Sequence, residues 1–213
     1  MKQALLIAVT SLLLSVPLMA GSGREIAEKF ELRSSQQVRI DFEVGELRIE
    51  AYDGDKVEVE LSLRCRNRSA SCERRLEDVE ILADWRRDRL EVTFEGLSKR
   101  LTNKMEVEAL IRLPKSVELS VDMGIGDLDI RGITRDVFVD MGIGDVSLSL
   151  PESAVRAVYL DTGIGESRIW GSRGRVDSTR PFLIGSEVEW KSGDGKSEVV
   201  VDLGIGEISV HLD

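Results

Sequence analysis

One histidine, two cysteines and four prolines are all that 213 residues contain of those types, and aromatic residues number only ten (Trp 3, Tyr 2, Phe 5). A single His excludes His-based catalytic triads and multi-His metal sites. Basic residues are also in deficit: 29 Lys and Arg against 39 Asp and Glu give a net charge of −10 with His neutral. Nucleic acid and anionic membranes both require clustered Lys or Arg, so the chain is not expected to bind nucleic acid. Trp85, Trp170, Trp190, Tyr52 and Tyr159 offer few platforms for sugar rings. The length suffices for one good core.

Long apolar runs are lacking except at the start. Lys2, the apolar stretch Ala4 to Val16, Pro17 and the small residue Ala20 form the pattern of a secretory signal, cleaved after residue 20. An uncleaved anchor is the alternative, at the short limit for a membrane span. Residue 21 is Gly and gives no site for acylation as a lipoprotein. The exported chain, residues 21–213, loses Lys2 and carries 28 − 39 = −11, and no membrane insertion is expected after cleavage. Cys65 and Cys72 lie close together in the exported part, which suits a local disulfide in an oxidising compartment such as the periplasm or cell envelope. Their spacing lacks the C-x-x-C pattern of a redox or metal pair.

What the chain does have is a repeat. Asp122-Met-Gly-Ile-Gly-Asp127, Asp140-Met-Gly-Ile-Gly-Asp145, Asp161-Thr-Gly-Ile-Gly-Glu166 and Asp202-Leu-Gly-Ile-Gly-Glu207 share one phrase, with starts 18, 21 and 41 residues apart. A worn copy at Leu183-Ile184-Gly185-Ser186 falls in the long interval, and Asp41-Phe-Glu-Val-Gly-Glu46 is an earlier echo. Apolar residues alternate before each second glycine (Val137, Val139, Met141, Ile143) and resume in the opposite phase after it (Val146, Leu148, Leu150). Period 2 means strands with one buried face. The change of phase means a turn or bulge at each Gly-acidic pair. Gly124, Gly126, Gly142, Gly144, Gly163, Gly165, Gly204 and Gly206 are therefore structural positions.

Strand, bent corner and strand every ~20 residues is the pattern of a β-solenoid coil, with Ile125, Ile143, Ile164 and Ile205 expected to stack in one buried column. An antiparallel sandwich with similar hairpins is the alternative. The first half is less periodic. Lys56–Arg64 and Met105–Leu113 read as strands. Val79–Ala83 and Leu90–Phe94 read as strands flanking a hairpin turn at Asp84–Asp88. Ile26 and Phe30 could mark a helical turn or a strand, and strong helical periodicity is otherwise absent. The expected class is all-β, a single β-solenoid domain with a hairpin-rich part over 21–113 and repeat coils over 114–213.

Gly45-Glu-Leu-Arg-Ile-Glu-Ala-Tyr-Asp-Gly-Asp-Lys-Val-Glu-Val59, then Leu113-Pro-Lys-Ser-Val-Glu-Leu-Ser-Val-Asp-Met-Gly-Ile-Gly-Asp-Leu-Asp-Ile130, resembles the DUF4097 adhesin family over roughly residues 37 to 213. Leu150-Pro-Glu-Ser153 repeats the Leu-Pro lead-in. The resemblance implies an exported, cell-envelope, β-helix-like protein, called an adhesin by analogy, with no catalytic residues to carry over. The very regular D-x-G-I-G-[DE] is this chain's departure.

Two acidic columns are the candidate chemistry: Asp122, Asp140, Asp161 and Asp202 in outward strand phase, and Asp127, Asp145, Glu166 and Glu207 at the corner. Carboxylates stacked about 5 Å apart repel by roughly 0.8 kcal/mol per pair in water. Ca²⁺ would relieve that, but turn capping and solubility explain the acids as well. No metal or cofactor is expected. Paired carboxylates also serve glycoside hydrolysis, yet residues that recur in every copy mark architecture rather than one asymmetric site. His211 is expected to be solvated. Arg64, Arg66, Arg68, Arg74 and Arg75 read as charge balance, with contact to an anionic envelope polymer as the sharper alternative. The expected function is a non-catalytic envelope binding module whose partner, protein or polysaccharide, the sequence does not name. An envelope-stress sensor or accessory protein is the alternative, and a carbohydrate-active β-helix enzyme the weaker one. The final copy, Val199 to Leu212, is expected to leave an open edge able to add a partner's strand.

Overall fold

The computed structural model describes residues 23–32, 37–67, 69–97, 104–172, 174–177, 185–191 and 195–213. The signal-like residues 1–20, Arg68 of the basic run and Leu183-Ile184 of the worn copy lie outside the described residues.

Alternating apolar residues form twelve strands of one open sheet. The first half supplies β1 (Gly23–Glu31), β2 (Gln37–Tyr52), β3 (Lys56–Cys65), β4 (Glu80–Arg86), β5 (Arg89–Glu95) and β6 (Met105–Pro114). The second half supplies β7 (Glu118–Arg131), β8 (Val137–Leu150), β9 (Val155–Gly171), β10 (Gly174–Asp177), β11 (Ser186–Lys191) and β12 (Ser197–Leu212). The main order is β1-β3-β6-β2-β7-β8-β12-β9-β10. β5 also joins β2, β4 joins β5, and β11 joins β9. The all-β class holds, but the sheet does not close on itself.

The long strands are folded back at their glycines. A straight 14-residue strand such as β7 would extend about 45 Å. Yet only residues 132–136 separate it from β8, whose Val137 pairs with Leu119 near the start of β7. So short a link reaches about 20 Å at most. Only a strand bent into two arms satisfies both. In β9, Thr162 before the bend and Ser167 after it hydrogen-bond at 2.7 Å, both buried. Equivalent positions in other copies are apolar, such as Met141 with Val146 and Leu203 with Ile208. The inward residues of both arms join a single core. At its lower end Phe42 and Phe94 meet edge to face, centroids 5.0 Å apart.

Parallel, in-register pairing links β2 to β7, β7 to β8, β8 to β12 and β12 to β9. The echo at Asp41–Glu46 is therefore a full rung beneath the first repeat. The last copy is not the last rung, because β12 lies between β8 and β9. Both its sides are paired, so Val199 to Leu212 offers no open edge, contrary to the sequence expectation. The chain reaches that slot by way of β11, which runs antiparallel to β9 with Ser186 opposite Thr162. The described part of the worn copy is thus not a parallel rung.

Two further local differences appear. Ser69, Cys72 and Leu76 begin and bury a short helix, α1 (Ala70–Glu77), where no helix was expected. Arg24 donates to the carbonyls of Leu76, Glu77 and Val79 at 2.5, 3.0 and 2.9 Å, placing a cation at the helix C-terminus. The hairpin turn is tighter than Asp84–Asp88: the strands run to Arg86 and from Arg89, with Arg87 at φ 59°. Ile26 and Phe30 lie in a strand. The Cys65–Cys72 disulfide is formed and ties β3 to α1.

Candidate binding surface

At each bend the second glycine is both a turn and a close approach. Gly144 has φ 138°, and a Cβ there would sit 1.7 Å from the carbonyl oxygen of Gly126. Gly206 has φ 144° and would place a Cβ 1.7 Å from the oxygen of Gly144. No side chain fits, so the rungs stack backbone on backbone at their corners. The first glycines pack likewise: a Cβ on Gly142 would lie 2.6 Å from the Gly124 oxygen, on Gly204 2.5 Å from that of Gly142, and on Gly163 2.7 Å from that of Gly204. Gly165 closes on Gly206 in the same way.

This corner decides where the isoleucines go. Inward phase in β8 stops at Met141 and resumes at Val146, and residues 142–145 round the apex. Ile125, Ile143, Ile205 and Ile164 do align, in that order, above Val44. The column is not buried, however. Ile125 is half-buried, while Ile143, Ile205 and Ile164 are 45%, 44% and 51% exposed. The four-residue apex changes the phase only after passing Ile outward over the bend. An acidic substitution at Ile143 therefore buries no charge between rungs.

The two acidic columns flank this ridge. On one side, Asp41, Asp122, Asp140, Asp202 and Asp161 occupy successive rungs; on the other, Glu46, Asp127, Asp145, Glu207 and Glu166. Spacing between rungs is about 4.8 Å. An arginine neutralises one end of each column. Arg39 donates to Asp41 and Asp122, each at 2.9 Å, and Arg168 contacts Glu166 and lies 3.5 Å from Glu207. The rest of the first column has no such partner: among the described residues no basic side chain forms an ion pair with Asp140, Asp202 or Asp161. The Asp202 carboxyl is accordingly held above its ordinary pKa, first by loss of water between rungs, then by the charges of Asp161 and Asp140. Asp145 accepts from the backbone N–H of Glu207 at 3.1 Å, so one corner acid caps the next rung. Among the described residues, no three acidic, Cys or His side chains converge to hold a metal ion.

Behind the second acidic column, an open groove of about 930 Å³ runs over the outer face of the sheet. Its lining includes eight carboxylates (Glu25, Glu46, Glu60, Glu108, Asp127, Asp129, Asp145 and Glu207) against Arg48 and His211. His211 is exposed as expected, but not free. It stacks on Trp170 with centroids 4.4 Å apart, and the Arg175 guanidinium lies 5.7 Å from that indole. The phrase that located the acids also contained the ridge; its outward direction required the bend.

No family model and no curated protein matches the chain. Among solved structures, the fold is similar to that of a "putative cell adhesion protein" from Clostridium sporogenes ATCC 15579. The identity is 17%, the TM-score 0.55, and the match covers 90% of this chain and 100% of that one. A "putative adhesin" from Bacteroides fragilis NCTC 9343 matches over 88% of this chain and 97% of its own at 10% identity, with a TM-score of 0.30. The first likeness is one of fold, and the second is too loose to carry more.

Proposed function

We propose that this is an exported, non-catalytic protein of the cell envelope, adhesin-like, which works by presenting a surface to a partner. The observation that carries this reading is the division of labour inside the repeat. Its glycines and its Met, Thr or Leu serve packing, while its Ile and its two acids point outward in four copies without serving the core. A repeated outward pattern gives an extended face, the feature by which stacked repeats engage partners. An active site would need one asymmetric set of groups instead. The signal-like residues 1–20, the disulfide and the name of the Clostridium neighbour agree with it, as does the DUF4097 resemblance. In this reading the folded-back rungs form a β-solenoid-like stack whose corners are its working edge.

The test is fractionation of the producing cell, followed by pull-down from envelope extracts with the exported chain. Recovery in the envelope or periplasmic fraction, with Gly21 as the first residue and a retained partner, is expected. Recovery in the cytoplasm with residues 1–20 intact would count against export. Turnover of a cell-wall polymer, abolished by changing one carboxylate, would overturn the non-catalytic reading.

A further inference from the structure

The apex ridge is a site in its own right. Three isoleucines on consecutive rungs, Ile143, Ile205 and Ile164, are about half exposed. Solvent exposure of one such residue is ordinary; a continuous line of them on three consecutive rungs is not. Carboxylates border the line on both sides. Those beside Ile143, Ile205 and Ile164 on one flank, Asp140, Asp202 and Asp161, have no basic partner among the described residues.

We infer that this ridge docks a basic polypeptide segment whose aliphatic side chains run in a stripe flanked by Lys or Arg. The inference rests on the surface-presenting role above and names the partner's chemistry. Charge complementarity selects this occupant. An apolar stripe covers the isoleucines, and cations on both flanks meet the carboxylates that have no ion-pair partner among the described residues, Asp140, Asp202 and Asp161 on one side and Asp127 and Asp145 on the other. A second copy of the chain is disfavoured, because it would bring acidic columns against acidic columns in a molecule already at −11 once residues 1–20 are removed. The lower end of the ridge is closed: Val44 is only 4% exposed, and a Cβ on the adjacent Gly45 would lie 2.4 Å from the carbonyl oxygen of Val107 in β6. Above that closed end, the four rungs from Ile125 to Ile164 at about 4.8 Å spacing give a line of roughly 14 Å, which matches about 10 residues of helix at 1.5 Å per residue. A basic amphipathic helix with a narrow apolar stripe satisfies length, polarity and charge together. The acidic groove behind the second column extends the same negative field beyond the ridge.

A bland account also exists, in which stacked β-branched side chains merely stabilise the parallel ladder. A synthetic helical peptide with a Leu stripe flanked by Lys separates the two, titrated into the purified exported protein by fluorescence anisotropy. The expected result is saturable binding that weakens with added salt. Binding should fall about tenfold in Asp140→Asn/Asp202→Asn and about tenfold in Ile143→Ser/Ile205→Ser, while the far-UV circular dichroism stays that of the parent. If the double Ile variant does not fold, Ile205→Ser alone decides, with Ile205→Leu expected to retain binding. Equal affinity for a Lys-only peptide, or unchanged binding by the Ile variants, would overturn the ridge as the docking line. So would a concentration-dependent dimer that the Ile variants abolish, since the occupant would then be a second copy. Ridge and role can fail separately. An envelope partner retained by the Ile variants would remove the ridge and keep the presenting function; polymer turnover with intact peptide binding would do the reverse.

Discussion

At the residue scale, the same six-residue phrase holds adjacent positions of opposite tolerance within one bend. Gly144 has a backbone conformation that side chains rarely adopt and no room for a methyl against Gly126. Gly144→Ala is expected to cost at least about 3 kcal/mol, because both the conformation and the contact must be broken. Ile143→Ser, next in the chain but 45% exposed, should cost about 1 kcal/mol or less. Urea unfolding of the two variants checks the contrast. Asp202 supplies a second prediction, through pH. Its folded pKa is raised, so the folded state binds the proton more readily than the unfolded one. The associated stability is present when the carboxyl is protonated and is lost as pH rises through the raised value. Asp202→Asn should therefore be no less stable than the parent near neutral pH. Its advantage should vanish when the pH is taken below the ordinary carboxylate range. Chemical denaturation at both pH values measures it; a variant less stable at neutral pH would contradict the repulsive column.

At the element scale, much was legible and one thing was not. Period-2 alternation located the long strands because each has one buried face, and the phase change at Gly-acidic pairs located the bends. The outward direction of Ile143 is not legible in the alternation, because the phase changes after the apex rather than before it. The stacking order was hidden for a deeper reason. All copies share phase, length and residue types, so spacing along the chain says nothing of which copies become neighbours. β11 doubles back on β9 and the following strand enters beside β8, a detour visible only in the pairing. Helix α1 was missed because eight residues with only Cys72 and Leu76 buried give too few turns for a periodic signal. The rung order also decides the outcome of truncation: deleting residues 199–213 removes β12 from between β8 and β9. The truncated protein should lose its cooperative thermal transition rather than remain folded without an edge. The disulfide closes a short loop between β3 and α1, and in the chain-entropy model Cys65→Ser/Cys72→Ser should cost about 2.5 kcal/mol. Free-thiol labelling of the denatured, unreduced protein should find no reactive thiol.

At the scale of the whole molecule, an excess of acid is concentrated in two lines along one edge. Neighbouring carboxylates there repel, and Arg39 and Arg168 relieve only one end of each line. Raising NaCl to about 0.5 M, where screening acts within a few ångströms, should raise the unfolding temperature, and Asp140→Asn/Asp202→Asn should blunt that dependence. The central claim is that the phrase builds one outward ridge with the rungs in the order β7, β8, β12, β9. Paired cysteines test it most directly. A disulfide needs Cα atoms closer than about 7 Å. Neighbouring rungs about 4.8 Å apart meet that requirement, and rungs separated by another do not. Mild oxidation, followed by mass spectrometry without reduction, should therefore cross-link Ile143→Cys with Ile205→Cys, and Ile205→Cys with Ile164→Cys. Ile143→Cys with Ile164→Cys should stay reduced. Cross-linking of 143 to 164, with none of 143 to 205, would contradict the rung order and the ridge built on it.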